Sequence, residues 1–307
     1  MDKENRRTML AYLAVCFFWG STYLAIKIGV ENFPPFLFAG IRFITAGGLT
    51  IFYSKLKGNA FADNKKDIAK ISIVGLLMLL GGNGLVVFAE QWVHSGIASL
   101  LVATVPLFIA IIEIFILRDK KMDYKGLIGL ALGFGGVVYL TLGKSSTGGI
   151  IDFKGTLILL FASLFWSMGS VYSKTFKANG SIISNIGIQM FAGGIGLSTV
   201  GLLRGEISSI NFARSSVLAL LYLIVFGSII GYSCYIYILQ KWPASKAGTY
   251  AYVNPIVAVV LGTIVLGEPF TFSIVISMII IILGVFMVQQ SKVEDFQVDR
   301  DVGEKAS

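Results

Sequence analysis

Charged side chains are scarce in this sequence of 307 residues, because Asp, Glu, Lys and Arg together account for only 14% of it. An ordinary soluble domain carries roughly 25% charged residues. Hydrophobic residues account for 55%, and the mean hydropathy is +0.80. This composition excludes a soluble enzyme, a disordered protein and a secreted disulfide scaffold.

Histidine and cysteine are also nearly absent. The one histidine, His94, excludes a metal motif that needs two histidines, and the two cysteines, Cys16 and Cys234, both fall within apolar runs. Thiols in such positions are most often packing residues. We therefore expect no disulfide framework, no metal site and no cofactor.

The sequence instead contains long stretches without any charged residue. Six of them, each between 18 and 26 residues long, cover 126–143, 155–173, 178–203, 215–240, 247–267 and 269–291. A helix rises about 1.5 Å per residue and the hydrocarbon core of a bilayer is about 30 Å thick, so roughly 20 apolar residues span it. The chain is therefore predicted to be an all-α polytopic membrane protein.

Apolar runs and the residues that break them predict ten transmembrane helices. Their approximate bounds are 9–29, 35–54, 69–89, 95–117, 125–142, 154–174, 181–203, 216–240, 246–266 and 270–289. The first run follows Lys3, Arg6 and Arg7, but it is longer than the apolar region of a signal peptide and lacks a convincing cleavage site. We expect it to be the first span, uncleaved.

The formal charge of +8 is distributed unevenly between the loops. With the N-terminus inside, 19 Lys and Arg residues lie in inner segments and 4 lie in outer loops. An excess of Lys and Arg holds loops in the cytoplasm, and it is a commoner cause of such a charge than nucleic-acid binding. We expect a multi-pass protein of the cell membrane with both termini in the cytoplasm, and no nucleic-acid partner.

Two sequence patterns recur at nearly the same offset. Phe18-Trp19 recurs 147 residues later as Phe165-Trp166, and in both copies a lysine follows the tryptophan by eight residues. The segment that leads to Pro106 recurs 149 residues later before Pro255. Because five helices is an odd number, the second copy must be inverted in the bilayer, as in many secondary transporters.

This organisation divides the chain into five parts. They are a cytoplasmic tail (1–8), a first repeat of five helices (9–143), an outer linker (144–153), a second, inverted repeat of five helices (154–290) and a cytoplasmic tail (291–307).

Several aromatic or polar side chains lie near the middle of the predicted spans, where such groups usually face the bundle interior or a wet cavity. Trp19 lies about 12 Å into the first span and Trp166 about 16 Å into the sixth, away from the interfacial belt where tryptophan is enriched. The candidate substrate-binding residues are Trp19, Asn83, Trp166, Tyr235 and Asn254. The alternative for the tryptophans is lipid contact or core packing, and for Asn83 it is a hydrogen bond between helices.

Pro106 and Pro255 each remove one helix hydrogen bond at corresponding places in spans 4 and 9. Interrupted helices at matched positions of two inverted halves point to a binding site, and a structural kink is the alternative. Gly129 and Gly133 have the GxxxG spacing that favours close helix packing. That packing is either internal or between protomers, so a homodimer is one of the two alternatives.

Ionisable residues form a second candidate group, for gating or coupling. Lys27, Arg42 and Glu90 lie in the outer third of the membrane, His94 close to the outer surface and Glu113 near the inner end of span 4. In one interpretation Glu90 neutralises Lys27 or Arg42 permanently, and in the other this ion pair is an outer gate that opens. Glu90, His94 and Glu113 are also the candidates for proton coupling.

Four motifs together resemble the EamA group of the drug/metabolite transporter superfamily. They are Phe18-Trp19-Gly20-Ser21-Thr22-Tyr23 leading to Lys27, Ile41-Arg42-Phe43 leading to Ala46-Gly47-Gly48, Ser95–Leu101 followed by Pro106-Leu107-Phe108, and Lys246-Ala247-Gly248 leading through Asn254-Pro255 to Leu266-Gly267-Glu268. The likeness covers residues 9–290. It departs at Leu117-Arg118-Asp119, where the family often has Leu-Gly-Glu. The resemblance implies ten helices, inverted repeats and alternating-access movement of small metabolites, often outward.

The hypothesis is therefore a secondary transporter that moves amino acids or similar polar or aromatic compounds, in the exporting direction, around a central cavity at the midplane. A passive channel or facilitator is the first alternative. An intramembrane enzyme is a poorer one, because the sequence has a single histidine and neither HExxH nor GxSxG. The expected partners are a small-molecule substrate and the lipid bilayer.

Overall fold

The structure is a computed structural model that describes residues 3–116, 120–142, 153–290 and 293–295. The Leu117-Arg118-Asp119 turn, nearly all of the predicted linker 144–153 and most of the tail 291–307 lie outside this part of the chain. Within it, the fold is almost entirely helical, which confirms the predicted all-α class.

Ten helical segments follow one another in the described residues. They are α1 (Lys3–Val30), α2 (Pro35–Leu56), α3 (Lys65–Ala89), α4 (Ser95–Val102, Val105–Ile111 and Ile112–Ile116), α5 (Tyr124–Leu142), α6 (Phe153–Tyr172), α7 (Ile182–Leu203), α8 (Arg214–Lys241), α9 (Ala244–Ala247, Gly248–Tyr252 and Asn254–Leu266) and α10 (Phe272–Gln290). Nine of them are long and apolar enough to cross a bilayer, and α9 contributes the shorter apolar stretch Tyr250–Leu266. A single 3₁₀ turn, Glu206–Ser209, lies between α7 and α8.

Packing between the helices follows the inverted repeat. Helix α2 packs along its counterpart α7, and α5 packs along its counterpart α10. Helix α1 packs against α8 and α9, while its counterpart α6 packs against α3 and α4. Each contact therefore has a partner contact in the other half, as expected of two five-helix units related by an axis in the membrane plane.

Contacts at each end of the bundle join segments that the predicted topology places on the same side of the membrane. At one end, Glu4 forms an ion pair of 2.6 Å with Lys241 at the end of α8, and the Ser181 amide donates to the Ala60 carbonyl at 2.8 Å. At the other end, the Leu37 amide donates to the Glu206 carboxylate at 2.9 Å. Helix α1 begins at Lys3, earlier than its predicted start.

A small ribbon of two strands joins a loop to the C-terminal segment. Strand β1 (Lys120–Met122) pairs antiparallel with β2 (Val293–Asp295), so that Lys121 lies opposite Glu294 in the register. Part of the predicted polar tail is therefore tied by backbone hydrogen bonds to the loop between α4 and α5.

Glycines allow the two counterpart pairs of helices to approach closely. A Cβ atom at Gly47 in α2 would lie 2.5 Å from the backbone nitrogen of Phe191 in α7. A Cβ at Gly129 in α5 would lie 2.7 Å from the carbonyl oxygen of Gly284 in α10. The Gly129 end of the GxxxG pair therefore serves packing inside the chain, where small residues let helix backbones meet.

The helices around the middle of the bundle are interrupted at matched places. Pro106 and Pro255 are each the second residue of a helical piece that begins after a break, where the missing N–H leaves no partner unsatisfied. Helices α3 and α8 each widen into a π-helical stretch, Leu76–Gly84 and Leu223–Tyr232. Such wide turns are frequent at functional sites.

The close approach of α2 and α7 predicts a difference between two adjacent glycines. Gly47→Val should lower the free energy of unfolding by about 1–3 kcal/mol, because its side chain collides with the α7 backbone. Gly48→Val is the matched control, since no atom lies within 4 Å of a Cβ there. Thermal unfolding of the two purified variants in detergent measures the effect, and equal stabilities would contradict the packing described.

Candidate functional site

A cavity of about 50 Å³ lies between the two halves. Seven helices contribute to its wall: Trp19, Thr22, Tyr23 and Ile26 from α1, Arg42 and Phe43 from α2, Leu79, Gly82, Asn83 and Val86 from α3, Val102 from α4, Ala162 and Trp166 from α6, Gly227 and Tyr232 from α8, and Tyr250 and Asn254 from α9. The π-helical stretches and the break in α9 all reach this wall. The interrupted backbone thus lines a cavity, the place where a membrane interior tolerates it.

Aromatic rings form one side of the cavity. The Trp19 ring meets the Trp166 ring edge to face at 5.3 Å and the Tyr250 ring at 4.9 Å. The Trp166 ring also meets the Tyr232 ring at 6.3 Å. The two tryptophans of the sequence repeat are therefore in direct contact, and their edge-to-face geometry is the one that aromatic quadrupoles favour.

Polar atoms in the wall are satisfied unequally. The indole Nε1 of Trp19 donates to the Gly227 carbonyl at 2.9 Å. The indole Nε1 of Trp166 and the amide Oδ1 of Asn83 are buried and have no hydrogen-bond partner among the described residues. A buried polar atom without a partner is costly, so a molecule that reached this donor and this acceptor would remove that cost.

Two predicted site residues have structural contacts of their own. Tyr235 lies behind the cavity wall, where its ring packs 5.1 Å from that of Trp19 and its hydroxyl is 2.9 Å from Ser170 Oγ. Asn254 lines the cavity, but with its amide nitrogen assigned toward the carbonyls of Tyr250 and Cys16, both at 3.2 Å, it ties α1 to the break in α9. The structure thus gives Tyr235 a supporting position.

Sequence reasoning missed three tyrosines of the wall. Tyr23, Tyr232 and Tyr250 all line the cavity and are at most 7% exposed. Tyr232 follows Gly231 at the end of a π-helical stretch, and Tyr250 lies just before the break at Asn254. Proximity to the interrupted backbone was the available signal for both.

Arg42 lines the cavity, although the sequence suggested only a gating role for it. Its guanidinium Nε donates to Ser228 Oγ at 2.7 Å and its Cζ lies 4.5 Å from the centroid of the Phe43 ring. Its Nη1 is buried without a partner. The side chain is only 3% exposed, so a positive charge is held at the wall of an apolar cavity.

The expected pairing of Lys27 with the Glu90 carboxylate is replaced by another contact. Lys27 Nζ donates to the backbone carbonyls of Glu90 at 2.7 Å and Val93 at 3.1 Å, just beyond α3. Its repeat counterpart Lys174 donates to the carbonyls of Leu239 at 2.6 Å and Trp242 at 3.1 Å, at the end of α8. Each lysine therefore caps the carbonyl end of a helix, at opposite ends of the bundle.

The side-chain carboxylate of Glu90 is left without a hydrogen-bond partner among the described residues. Its side chain is 0% exposed, and neither carboxylate oxygen has a partner among the described residues. The charges of Lys27, Glu268 and Arg42 act on it from a distance. An unpaired carboxyl group in such a place is costly and has functional potential.

His94 and Glu113 lie at opposite ends of the bundle. His94 precedes α4, and its Nδ1 is 3.9 Å from Glu268 Oε1. Glu113 lies in the last part of α4, toward Lys174. Partial burial lowers the pKa of Lys174 from its ordinary value, and the charge of Glu113 opposes this shift.

Glu268, which the sequence analysis named only as the end of a family motif, has a structural role. Its carboxylate accepts from the Ser95 amide at 2.7 Å, the Ser95 hydroxyl at 2.9 Å and the Gly96 amide at 3.1 Å. It thereby caps the start of α4 from the turn after α9, joining the two halves. An acid at a helix N-terminus satisfies free N–H groups and complements the helix dipole.

A second, larger cavity opens at the end of the bundle that holds Lys174. Its volume is about 460 Å³, and Lys174, Lys177 and Gln189 are in its wall. The Tyr232 hydroxyl, from the wall of the central cavity, donates to Gln189 Oε1 at 2.9 Å. This hydrogen bond therefore lies in the partition between the two cavities.

Comparisons with known proteins agree with this architecture. The profile of the EamA-like transporter family matches residues 6–142 and again residues 153–289. The "uncharacterized inner membrane transporter YedA" of Escherichia coli K12 is 36% identical over 284 residues, which cover 92% of this chain and 90% of that protein. The "uncharacterized transporter YoaV" of Bacillus subtilis is 28% identical over 284 residues, covering 92% and 96%. A solved crystal structure shares the fold with a TM-score of 0.65 at 19% identity, covering 91% of this chain and 95% of its own.

The capping contact of Glu268 predicts a loss of stability on its removal. Glu268→Ala should lower the free energy of unfolding by about 1–3 kcal/mol, because two backbone amides and a hydroxyl lose their acceptor. Glu31→Ala removes an exposed acid from the same end of the bundle and should change little. If the two variants unfold at the same temperature, the capping contact contributes nothing to stability.

Proposed function

The chain belongs to the EamA-like transporter family, and from this membership we propose that it is a secondary transporter that moves small metabolites across the cytoplasmic membrane by alternating access around the central cavity. The cavity between the two inverted halves is the observation that carries the proposal, because substrate sites of such transporters lie at the repeat interface near the midplane. Both termini face the cytoplasm in this proposal, on the basis of the 19-to-4 division of basic residues.

Matched contacts at the two ends of the bundle support alternating access. Lys27 binds the carbonyl end of α3, and Lys174 binds the carbonyl end of the counterpart helix α8 at the opposite end of the bundle. The same type of contact is therefore present at both ends, where it closes the central cavity in this proposal. The Tyr232–Gln189 hydrogen bond lies between the central cavity and the larger cavity at the Lys174 end. Rocking of the two halves would break this partition and open the centre to that side.

The composition of the wall supports amino acids or similar polar or aromatic compounds as substrates. The rings of Trp19, Trp166 and Tyr250 offer flat apolar surfaces, and Trp166 Nε1 and Asn83 Oδ1 offer a donor and an acceptor. A pocket of apolar walls with a few directed polar groups is typical of small-molecule sites. The exporting direction is proposed from the family resemblance.

A passive channel is the alternative to a carrier. A carrier must expose one site to each side in turn, so it shows saturable counterflow, whereas a pore does not. An intramembrane enzyme would turn over its substrate without any gradient.

The proposed cavity predicts that its tryptophans are needed for transport. In liposomes that contain the purified protein, Trp19→Ala and Trp166→Ala should each reduce counterflow of a transported metabolite at least about tenfold, since each loses an aromatic contact surface. Trp92→Ala removes a tryptophan that is 37% exposed and outside the cavity, and it should leave counterflow nearly unchanged. Equal losses in all three variants would contradict a central site, and the absence of counterflow for every metabolite in a broad panel would refute the carrier.

Proton coupling through Glu90 is the second part of the proposal. Its buried carboxyl group has no hydrogen-bond partner, so proton binding is the simplest way to remove the cost of its charge. Glu90→Gln should retain counterflow but lose the acceleration of transport by an imposed proton gradient. Glu31→Gln is the control at an exposed acid, and a Glu90→Gln protein that still responds to the gradient would refute this role.

A further inference from the structure

We propose that the central cavity takes an organic acid, whose carboxylate binds the guanidinium of Arg42 while its apolar or aromatic body lies against the tryptophans. This inference rests on the transporter function proposed above and specifies its substrate class.

The position of Arg42 is the first step of the argument. The side chain reaches from α2 to α8, where Nε donates to Ser228 Oγ at 2.7 Å, and this contact fixes the guanidinium at the cavity wall. Nη1 remains buried without a partner. A guanidinium that is fixed through one nitrogen retains the planar pair of donors that matches a carboxylate.

The charge balance around Arg42 is the second step. No acid lies within ion-pair distance of its guanidinium among the described residues, and Glu90 acts on it only from a distance. The neighbouring cation Lys27 already binds backbone carbonyls. A buried charge without a close counter-ion is expensive, and an anion that enters the cavity would remove this cost.

The other residues of the cavity wall indicate which chemical group the carboxylate is attached to. The indole rings of Trp19 and Trp166 meet at 5.3 Å beside the same cavity, so a flat apolar body can lie against them while its acid group reaches Arg42. A cationic compound would meet the unpaired guanidinium, and repulsion in a site of low dielectric constant disfavours it.

Three compounds with one phenylpropyl body test the proposal on the full chain in detergent. They are 3-phenylpropionate, 3-phenylpropionamide and 3-phenylpropylamine, which are anionic, neutral and cationic at neutral pH. Quenching of tryptophan fluorescence and the rise in unfolding temperature report binding. The anion should bind at least about tenfold more tightly than the amide or the amine, the factor expected for one hydrogen bond to a charged group.

Variants then assign the preference to Arg42. Arg42→Gln should weaken binding of the anion about tenfold and leave the amide within about twofold, whereas Arg214→Gln, which removes an exposed arginine outside the cavity, should leave both unchanged. Ser228→Ala keeps the charge but removes its Nε contact, so it should weaken binding of the anion alone. This variant carries the test if Arg42→Gln does not fold.

The inference is overturned if the anion binds no more tightly than the other two compounds, or if the preference survives both Arg42→Gln and Ser228→Ala. Counterflow in liposomes separates this failure from that of the proposed function. If the amide or the amine is exchanged and the acid is not, the proposed transporter function is retained and the organic-acid site is refuted.

Discussion

The lipid interior offers no water to polar groups, and this constraint explains most of the architecture. Each N–H, carbonyl and charge within the bilayer has to find its partner in the protein. Lys27 and Lys174 bind the carbonyls at the ends of α3 and α8, and Glu268 binds the free amides at the start of α4. Arg42 Nη1, Trp166 Nε1 and Asn83 Oδ1 depart from this rule, because all three are unsatisfied and belong to residues of one cavity wall.

The two halves are similar in contacts but not identical, and the difference concerns the cavity. The lysine caps are equivalent at both ends of the bundle. The tryptophans are not, because the indole of Trp19 is fixed by the Gly227 carbonyl while that of Trp166 has no partner. A duplicated bundle thus supplies a symmetric frame for rocking, and departures from symmetry supply a site that can recognise one ligand orientation.

The closely packed helix pairs and the interrupted helices are different elements of the fold. The pairs α2–α7 and α5–α10 pack through glycines, which bring their backbones close together. The helices with wide or broken turns, α3, α4, α8 and α9, surround the cavity. Close packing of small residues gives stability where the halves meet, and the interrupted backbone gives space where a molecule has to enter.

The sequence by itself determined the succession of apolar helices, the inverted repeat and the positions of the prolines, because these follow from local hydropathy and from a constant offset. It also placed Trp19 and Trp166 near the middle of their spans. Only the tertiary structure decided that Lys27 binds carbonyls rather than the Glu90 carboxylate, and that Arg42 reaches Ser228 across the cavity. Hydropathy cannot determine the rotation of a helix about its own axis when lipid and protein neighbours are equally apolar. The partners that result, such as Arg42 and Ser228, are separated by 186 residues, so no local pattern records them.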